Sequence, residues 1–237
     1  MAAPVYDNSA STFSGANVAS LTTASWAIGG SDRYLVAGIG SGAATPVDPT
    51  EMRWGGSAGT LLTKFGTTQS LGANWKLSAY GLLAPTAQTS TLYGLWPSTQ
   101  DETAISGVSA TGVDQTTPTG TVATAAGTDT APTVAVTTAA DDFVVDVIWF
   151  GDSSGASRTL TVGAGQTSRQ EIEGANLVYE GMGMSTEVAT GTSTTMSWTI
   201  SGAVDNWGIQ GIPLKPVAAG GADVRNHIIP AYTRIHA

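Results

Sequence analysis

Short stretches of apolar or alternating residues recur along the whole chain, and they are separated by clusters of Gly, Pro, Asp and Ser. The strongest is Phe143-Val-Val-Asp-Val-Ile-Trp-Phe150, and residues 34–39 are almost continuously apolar, as in strands buried on both faces. Residues 104–113 and 133–137 alternate with a period of two. About a dozen such segments without a helical period predict an all-β fold, a jelly-roll-like antiparallel β-sandwich.

The chain divides near Pro216 into a sandwich and a tail. Residues 1–216 contain all the predicted strands, so we expect one β-sandwich domain with a single core and no internal repeat. Residues 217–222 read Val-Ala-Ala-Gly-Gly-Ala, a composition typical of a flexible linker. Residues 223–237 differ in composition from the sandwich, and we predict a separate C-terminal docking tail there.

The charge balance excludes several classes of partner. Only 11% of the residues are charged, the net charge is −9, and the few cations form no basic stripe, so we expect no direct contact with nucleic acid. The absence of cysteine removes disulfides and thiolate chemistry. We see no signal-peptide pattern and no apolar run that suits a membrane helix, so we expect no membrane insertion. Such a chain suits a virion component made in the host cytoplasm, and equally a cytosolic protein.

The sequence offers little material for catalysis. Both histidines, His227 and His236, lie in the tail, so the sandwich has no histidine for a catalytic triad or a metal site. Asp101 and Glu102 are adjacent and follow a Pro-containing turn, which indicates a solvated turn and not a catalytic pair. We therefore predict a protein with no catalytic residue, no cofactor and no enzymatic activity.

Two other groups of carboxylates are candidates for a metal site. Glu171 and Glu173 would share one face of a strand and could form an acid/base or calcium pair, but charge on an exposed edge strand explains them better. The second group surrounds the strongest predicted strand and consists of Asp141, Asp142, Asp146 and Asp152. This group lacks the ligand series of a calcium loop and is typical of turns. We predict no metal site, and a bound calcium ion stays open.

Seven tryptophans raise the question of carbohydrate binding, because sugar faces stack on aromatic rings. Trp149, Trp198 and Trp207 lie inside apolar strands, which predicts core positions. Trp75 and Trp96 lie at a strand start and a strand end, so we expect their rings to be the more exposed ones. These two residues are the candidates for a glycan contact.

The tail combines apolar and cationic residues on an otherwise acidic protein. Its apolar residues are too few to form a core of their own, so docking into a groove or onto a sheet of a partner is favoured over disorder or folding back onto the sandwich. The residues predicted to dock are Arg225, His227, Ile228, Ile229, Tyr232, Arg234 and Ile235. The predicted partner is another protein or a sister subunit.

Several segments occur in an order that resembles a known family. The strand Arg33–Ile39 is followed by a hairpin over Met52–Lys64 and by Gly-Val-Asp-Gln-Thr-Thr-Pro within Val108–Pro118. The series ends with Met196–Ile200 and with a final strand over Trp207–Pro216. In this order the segments resemble an uncharacterised family of jelly-roll-like β-sandwich domains in tailed-bacteriophage structural proteins and bacterial surface proteins.

The resemblance implies a non-enzymatic structural component of a tailed-phage virion, such as a capsid decoration, head-fibre, neck or tail-associated protein. Its partners would be other capsid or tail proteins and further copies of itself. A receptor- or glycan-binding adhesion module on a phage tail or cell surface is the alternative. An enzyme acting on polysaccharide would need a carboxylate pair about 5–10 Å apart in a cleft, and the sequence gives no independent sign of one.

Overall fold

The computed structural model describes residues 1–173 and 180–218, and these residues form β-strands and turns without a helix. The first half of the chain forms β1 (Val5–Ser14), β2 (Val18–Thr22), β3 (Trp26–Ile28), β4 (Tyr34–Gly42), β5 (Glu51–Trp54), β6 (Thr60–Leu61), β7 (Thr63–Lys64), β8 (Gln69–Leu71), β9 (Trp75–Leu83), β10 (Gln88–Ser90), β11 (Leu92–Gln100) and β12 (Glu102–Thr111). The second half forms β13 (Ala123–Gly127), β14 (Thr133–Thr137), β15 (Phe143–Gly151), β16 (Leu160–Val162), β17 (Thr167–Ile172), β18 (Glu180–Val188), β19 (Ser193–Ile200) and β20 (Asn206–Leu214). The predicted all-β antiparallel fold is confirmed.

Each half is a jelly roll. In the first half, one sheet has the order β1-β12-β4-β9, extended at its edge by β7 and β8, and we name it the first central sheet. It packs on the first outer sheet, which has the order β2-β11-β5-β6. The eight main strands of these two sheets are, in chain order, β1, β2, β4, β5, β6, β9, β11 and β12. Numbered 1 to 8, they have the order 1-8-3-6 in the central sheet and 2-7-4-5 in the outer sheet, which is the arrangement of a jelly roll.

The second half repeats the order 1-8-3-6 in the second central sheet, β13-β20-β15-β18, which β17 extends at the edge. The second outer sheet has the order β14-β19-β16, with three strands and no counterpart of β6 among the described residues. The registers repeat as well: Gly42 pairs with Trp75 and Glu102, and the corresponding Gly151 pairs with Glu180 and Asn206. The expectation of no internal repeat is therefore wrong. The strand order and the register of the first half recur in the second half, although most residue types at corresponding positions differ.

The two jelly rolls pack with their central sheets face to face, which gives four layers. One core fills the space between the two central sheets, and Val36 and Leu77 contribute to it from one side and Val147 and Met184 from the other. Each central sheet also has a core with its own outer sheet. The expectation of a single core is thus wrong: both faces of each central sheet are buried, as all nine residues of β15 illustrate.

Two glycines of β4 allow the two central sheets to approach each other closely. A Cβ atom on Gly40 of β4 would lie 2.5 Å from the ring of Trp149 on β15, and one on Gly38 would lie 2.3 Å from a methyl group of Val147. These distances are far below van der Waals contact, so only glycine allows the large side chains of β15 to fill the space against β4.

The tail leaves the body at a defined point. After β20, the N–H of Lys215 donates to the carbonyl of Pro118 at 2.8 Å, and the N–H of Val217 donates to the carbonyl of Gly112 at 3.0 Å. The backbone is therefore hydrogen-bonded to the body as far as Val217, and Ala218 is the last described residue. None of the described residues belongs to a helix that could cross a membrane.

Candidate functional site

A cleft of about 280 Å³ opens at one end of the molecule, where strands of both central sheets begin or end. We name it the acidic cleft. In the first half, its walls come from the end of β4, the start of β9 and the turn between β11 and β12. In the second half, they come from the residues after β15 and from the start of β18. The lining residues are Ala43, Ala44, Asn74, Trp75, Asp101, Glu102, Ser153 and Glu180.

A hydrogen bond between the two halves forms the base of the acidic cleft. The indole Nε1 of Trp75 donates to Oε1 of Glu180 at 2.7 Å. Trp75 is the first residue of β9, and Glu180 is the first described residue of β18, so these two occupy corresponding positions in the two jelly rolls. The duplication thus brings together two residues that are 105 positions apart in sequence.

Glycines again make room for these side chains. A Cβ atom on Gly42 would lie 2.6 Å from Oε1 of Glu180, and one on Gly151 would lie 2.2 Å from the ring of Trp75. Backbone hydrogen bonds of 3.0 Å also repeat at this end, from Asp101 N to Gly42 O and from Asp205 N to Gly151 O. The cleft is therefore built on the duplicated frame and does not depend on a long loop.

The electrostatics of the cleft favour a neutral Glu180. Burial raises the pKa of Glu180 to about 8, the negative charges of Glu102 and Asp101 add to the rise, and the hydrogen bond from Trp75 opposes it. Burial, with a further contribution from Asp101, also raises the pKa of Glu102. At neutral pH the cleft thus contains a protonated carboxyl group that would ionise if a cation entered.

One oxygen of Glu180 lacks a partner. The residue is only 4% exposed, and its Oε2 is shielded from solvent without a hydrogen-bond partner among the described residues. No Lys or Arg lines the cleft, and the ion pairs within residues 1–173 and 180–218 leave out Asp101, Glu102 and Glu180. The arrangement suits a guest that brings positive charge and hydrogen-bond donors.

The cleft is not arranged as a metal centre. No group of three or more His, Cys, Asp or Glu side chains within the described part of the chain is placed to hold a metal ion. A single buried carboxyl group with one free oxygen provides fewer ligands than the six to eight oxygens that calcium takes.

The predicted exposure of Trp75 and Trp96 is wrong. Trp75 is 6% exposed because its ring packs over Gly151 between the two halves, and Trp96 is 2% exposed because β11 directs it into the core of the first jelly roll. A glycan contact at these residues therefore stays a prediction without an exposed ring to support it. The predicted core positions of Trp149, Trp198 and Trp207 are confirmed.

The aspartates considered for calcium have separate structural roles. Asp146 is fully buried beneath the second outer sheet, where it accepts hydrogen bonds from Ser185 N and Oγ, both at 2.8 Å, and from Trp198 Nε1 at 2.7 Å. Burial raises the pKa of Asp146 to about 6, although these hydrogen bonds oppose the rise. Asp142 accepts from the N–H of Ala139 at 2.8 Å in a turn.

The other two aspartates of that group form ion pairs. Asp141 pairs with the N-terminal amine of Met1 at 3.1 Å, and Asp152 pairs with Arg158 at 2.7 Å. The four aspartates are thus engaged in four different local networks.

Glu171 and Glu173 lie at the edge of the second central sheet, as predicted. Glu171 belongs to the edge strand β17 and accepts a hydrogen bond from Ser168 at 2.5 Å. Glu173 follows β17 and accepts a hydrogen bond from the N–H of Leu160. Both carboxylates are therefore used within the second jelly roll.

Glu180 is absent from the residues predicted from sequence, and Asp101 and Glu102 were predicted only as a turn. Asp101 does lie exposed in the turn after β11, whereas Glu102 is half-buried at the start of β12. A sequence signal did exist: Glu180 is the charged residue immediately before the small, apolar run Gly181-Met-Gly-Met184. The seven residues predicted to dock, from Arg225 to Ile235, lie outside the described residues.

Comparison with known proteins adds no relative. No protein-family model matches the chain, and no curated protein matches it.

Proposed function

We propose that the chain is a non-enzymatic structural component of a tailed-phage virion, which displays the four-layer body and attaches through its C-terminal tail. The observation that carries the proposal is the jelly-roll strand order, present twice in one chain. Two-sheet jelly rolls are an architecture of viral capsid domains and of lectins. A body with three packed cores suits a part that is displayed on a particle surface.

The tail exit supports the attachment part of the proposal. The chain is hydrogen-bonded to the body until Val217, and the apolar residues Ile228, Ile229, Tyr232 and Ile235 follow within a short distance in sequence. Burial of such side chains on a partner contributes roughly 25 cal/mol per Å² of apolar surface. Display of many copies on a symmetric particle would add avidity.

Particle incorporation tests the proposal. Particles purified from cultures of the source organism are analysed by quantitative mass spectrometry, with the full chain compared with a variant that lacks residues 217–237. We expect the full chain at a fixed copy number per particle and the shortened chain in the free fraction. A matched variant with Ile228→Ser, Ile229→Ser, Tyr232→Ser and Ile235→Ser keeps the length of the tail.

Two results would contradict the proposal. Absence of the full chain from purified particles would overturn the virion assignment. Unchanged occupancy by both variants would overturn attachment through the tail. A thermal unfolding transition shared by all three proteins verifies that the variants are folded.

A further inference from the structure

The acidic cleft combines three features that point to a cationic guest. Asp101, Glu102 and the protonated Glu180 face one small volume, and no described cation pairs with any of the three. Glu180 is 4% exposed, and its Oε2 has no hydrogen-bond partner among the described residues. A buried carboxyl oxygen without a donor is costly, so a donor supplied by a guest would be favourable.

The cations of the described part of the chain are engaged elsewhere. Arg33 donates to two backbone carbonyls, and Lys64 donates to Thr68. Three others form ion pairs: Arg53 with Glu51, Lys76 with Asp48 and Arg158 with Asp152. The remaining two are Arg169, which lies 4.0 Å above the ring of Tyr6, and Lys215, which is at the opposite end of the molecule. The chain has two more arginines, Arg225 and Arg234, and both follow Ala218.

The place where the tail leaves the body indicates which copy provides the guest. Strand β20 pairs with Gly151 beside the acidic cleft at its start and with Phe143 at its end, so Ala218 lies at the end of the body remote from the cleft. Nine residues of strand span about 30 Å. Seven extended residues, 219–225, reach about 25 Å, so the backbone at Arg225 falls short of the cleft of its own copy, whereas the longer stretch to Arg234 reaches about 55 Å and does not limit the choice. Arg225 can reach the cleft of a copy placed end to end.

We propose that the acidic cleft of one copy binds Arg225 in the C-terminal segment 219–237 of a second copy, so that copies associate head to tail. The guanidinium group donates to Oε2 of Glu180 and to Glu102, because its planar set of N–H donors matches carboxylate oxygens. The interface is heterologous: the surface that donates and the surface that accepts are at opposite ends of the body. The inference rests on the docking role of the tail in the proposed function and identifies its partner.

Complementary variants of the full chain test this inference. The cleft variant carries Glu102→Gln and Glu180→Gln, and the amide oxygen introduced at position 180 can still accept the hydrogen bond from Trp75. The tail variant carries Arg225→Gln, at a position outside the described fold. Sedimentation velocity measures association of each protein alone and of an equimolar mixture at low and high salt.

We expect wild-type protein to associate with concentration, and each variant to associate at least about tenfold more weakly. The mixture should form a 1:1 complex, because one protein keeps its cleft and the other keeps its tail. The complex should weaken as salt increases. The charge-matched control Asp32→Asn with Asp129→Asn should behave as wild type.

Three results would overturn the inference. Monomeric wild-type protein at all concentrations would exclude association between copies, including the case in which the cleft binds its own tail. Self-association of the cleft variant at the wild-type affinity would exclude the cleft. A mixture that remains as two monomers would exclude the pairing of cleft and tail. Because purified protein is used, these results are independent of the particle experiment that tests the proposed function.

Discussion

Gly40 shows how one absent side chain determines the packing of the two halves. It lies in the middle of β4, directly beneath the indole of Trp149, which is fully buried. Strand β4 is predicted from its apolar residues, but the reason for a glycine there is visible only across the interface. A pattern of apolar residues predicts that a segment is a strand. It does not predict that a large side chain of another strand, here Trp149, packs against one of its residues.

Gly40→Ala is expected to destabilise the protein by about 3 kcal/mol, since a Cβ atom 2.5 Å from the Trp149 ring forces the central sheets apart. The control is Gly191→Ala, because a Cβ atom there meets no atom within 4 Å. That control should change the free energy of unfolding by less than about 0.5 kcal/mol. Urea denaturation compares the two, and equal stabilities would contradict the described packing.

The raised pKa of Glu180 predicts that the free energy of unfolding depends on pH. Its pKa is raised to about 8 in the folded chain from an ordinary value of 4.5, so between these pH values the folded chain binds more protons than the unfolded one. The free energy of unfolding should therefore fall as the pH rises from about 5 to 8, by at most about 5 kcal/mol, because one pKa unit corresponds to about 1.4 kcal/mol.

Glu180→Gln should remove that part of the dependence and should be more stable than wild type at pH 9. Denaturation curves at pH 5 and pH 9 measure the effect, and Asp32→Asn is the control with the same change of charge at an exposed site. A wild-type slope that persists in Glu180→Gln would show that Glu180 does not cause it.

At the scale of elements, prediction succeeded where strands are apolar on at least one face. Strands β4, β15 and β20 are predicted within a few residues, because their buried faces leave a clear pattern. Strand β1 reads Val-Tyr-Asp-Asn-Ser-Ala-Ser-Thr-Phe-Ser and was missed. It pairs with β12 over its whole length and its polar side chains contact β17, and no hydrophobic pattern records either partner.

The polar side chains of β1, which is paired with β12, form hydrogen bonds with β17 of the other half. Ser11 Oγ donates to Gln170 Oε1 at 2.6 Å, and Gln170 Nε2 donates to Ser9 Oγ at 2.7 Å. Gln170→Ala should therefore destabilise by about 1–2 kcal/mol and accelerate hydrogen exchange of β1 more than of β14. Gln88→Ala, at an exposed position of β10, is the control. Equal exchange of β1 in both variants would contradict the role of this contact.

Strand β11 is longer than predicted. Pro97 was expected to end the strand, but β11 continues to Gln100, with a register shift between Leu95 and Gln100 against β2. Proline lacks a backbone N–H, so it is tolerated where the ladder is interrupted. The interrupted end of β11 leads into the turn that carries Asp101 and hence into the acidic cleft.

At the scale of the whole molecule, the two jelly rolls share the core between their central sheets. Since this core takes residues from both halves, neither half can bury its central sheet alone. Scanning calorimetry should therefore show one unfolding transition with equal calorimetric and van't Hoff enthalpies. Two separated transitions would contradict a shared core and would indicate independent halves.

The duplication also explains why the cleft could not be predicted. Its residues come from five separate parts of the chain, and only the repeated strand order brings Trp75 and Glu180 to one point. The strands of both halves are recognisable in the sequence but their equivalence is not, because β4 and β15 differ in residue type at most corresponding positions. The topology is defined by which strands pair, and this pairing cannot be read from a single sequence.

Together, the two proposals describe a displayed four-layer body that joins an assembly through its C-terminal segment. The most direct measurement is a reconstruction of native particles from the source organism at a resolution that traces residues 219–237. We predict a four-layer β body at symmetry-related positions, with the C-terminal segment of one copy reaching the acidic cleft of the next. Particles without such a body, or a body whose C-terminal segment contacts no neighbouring protein, would contradict the account.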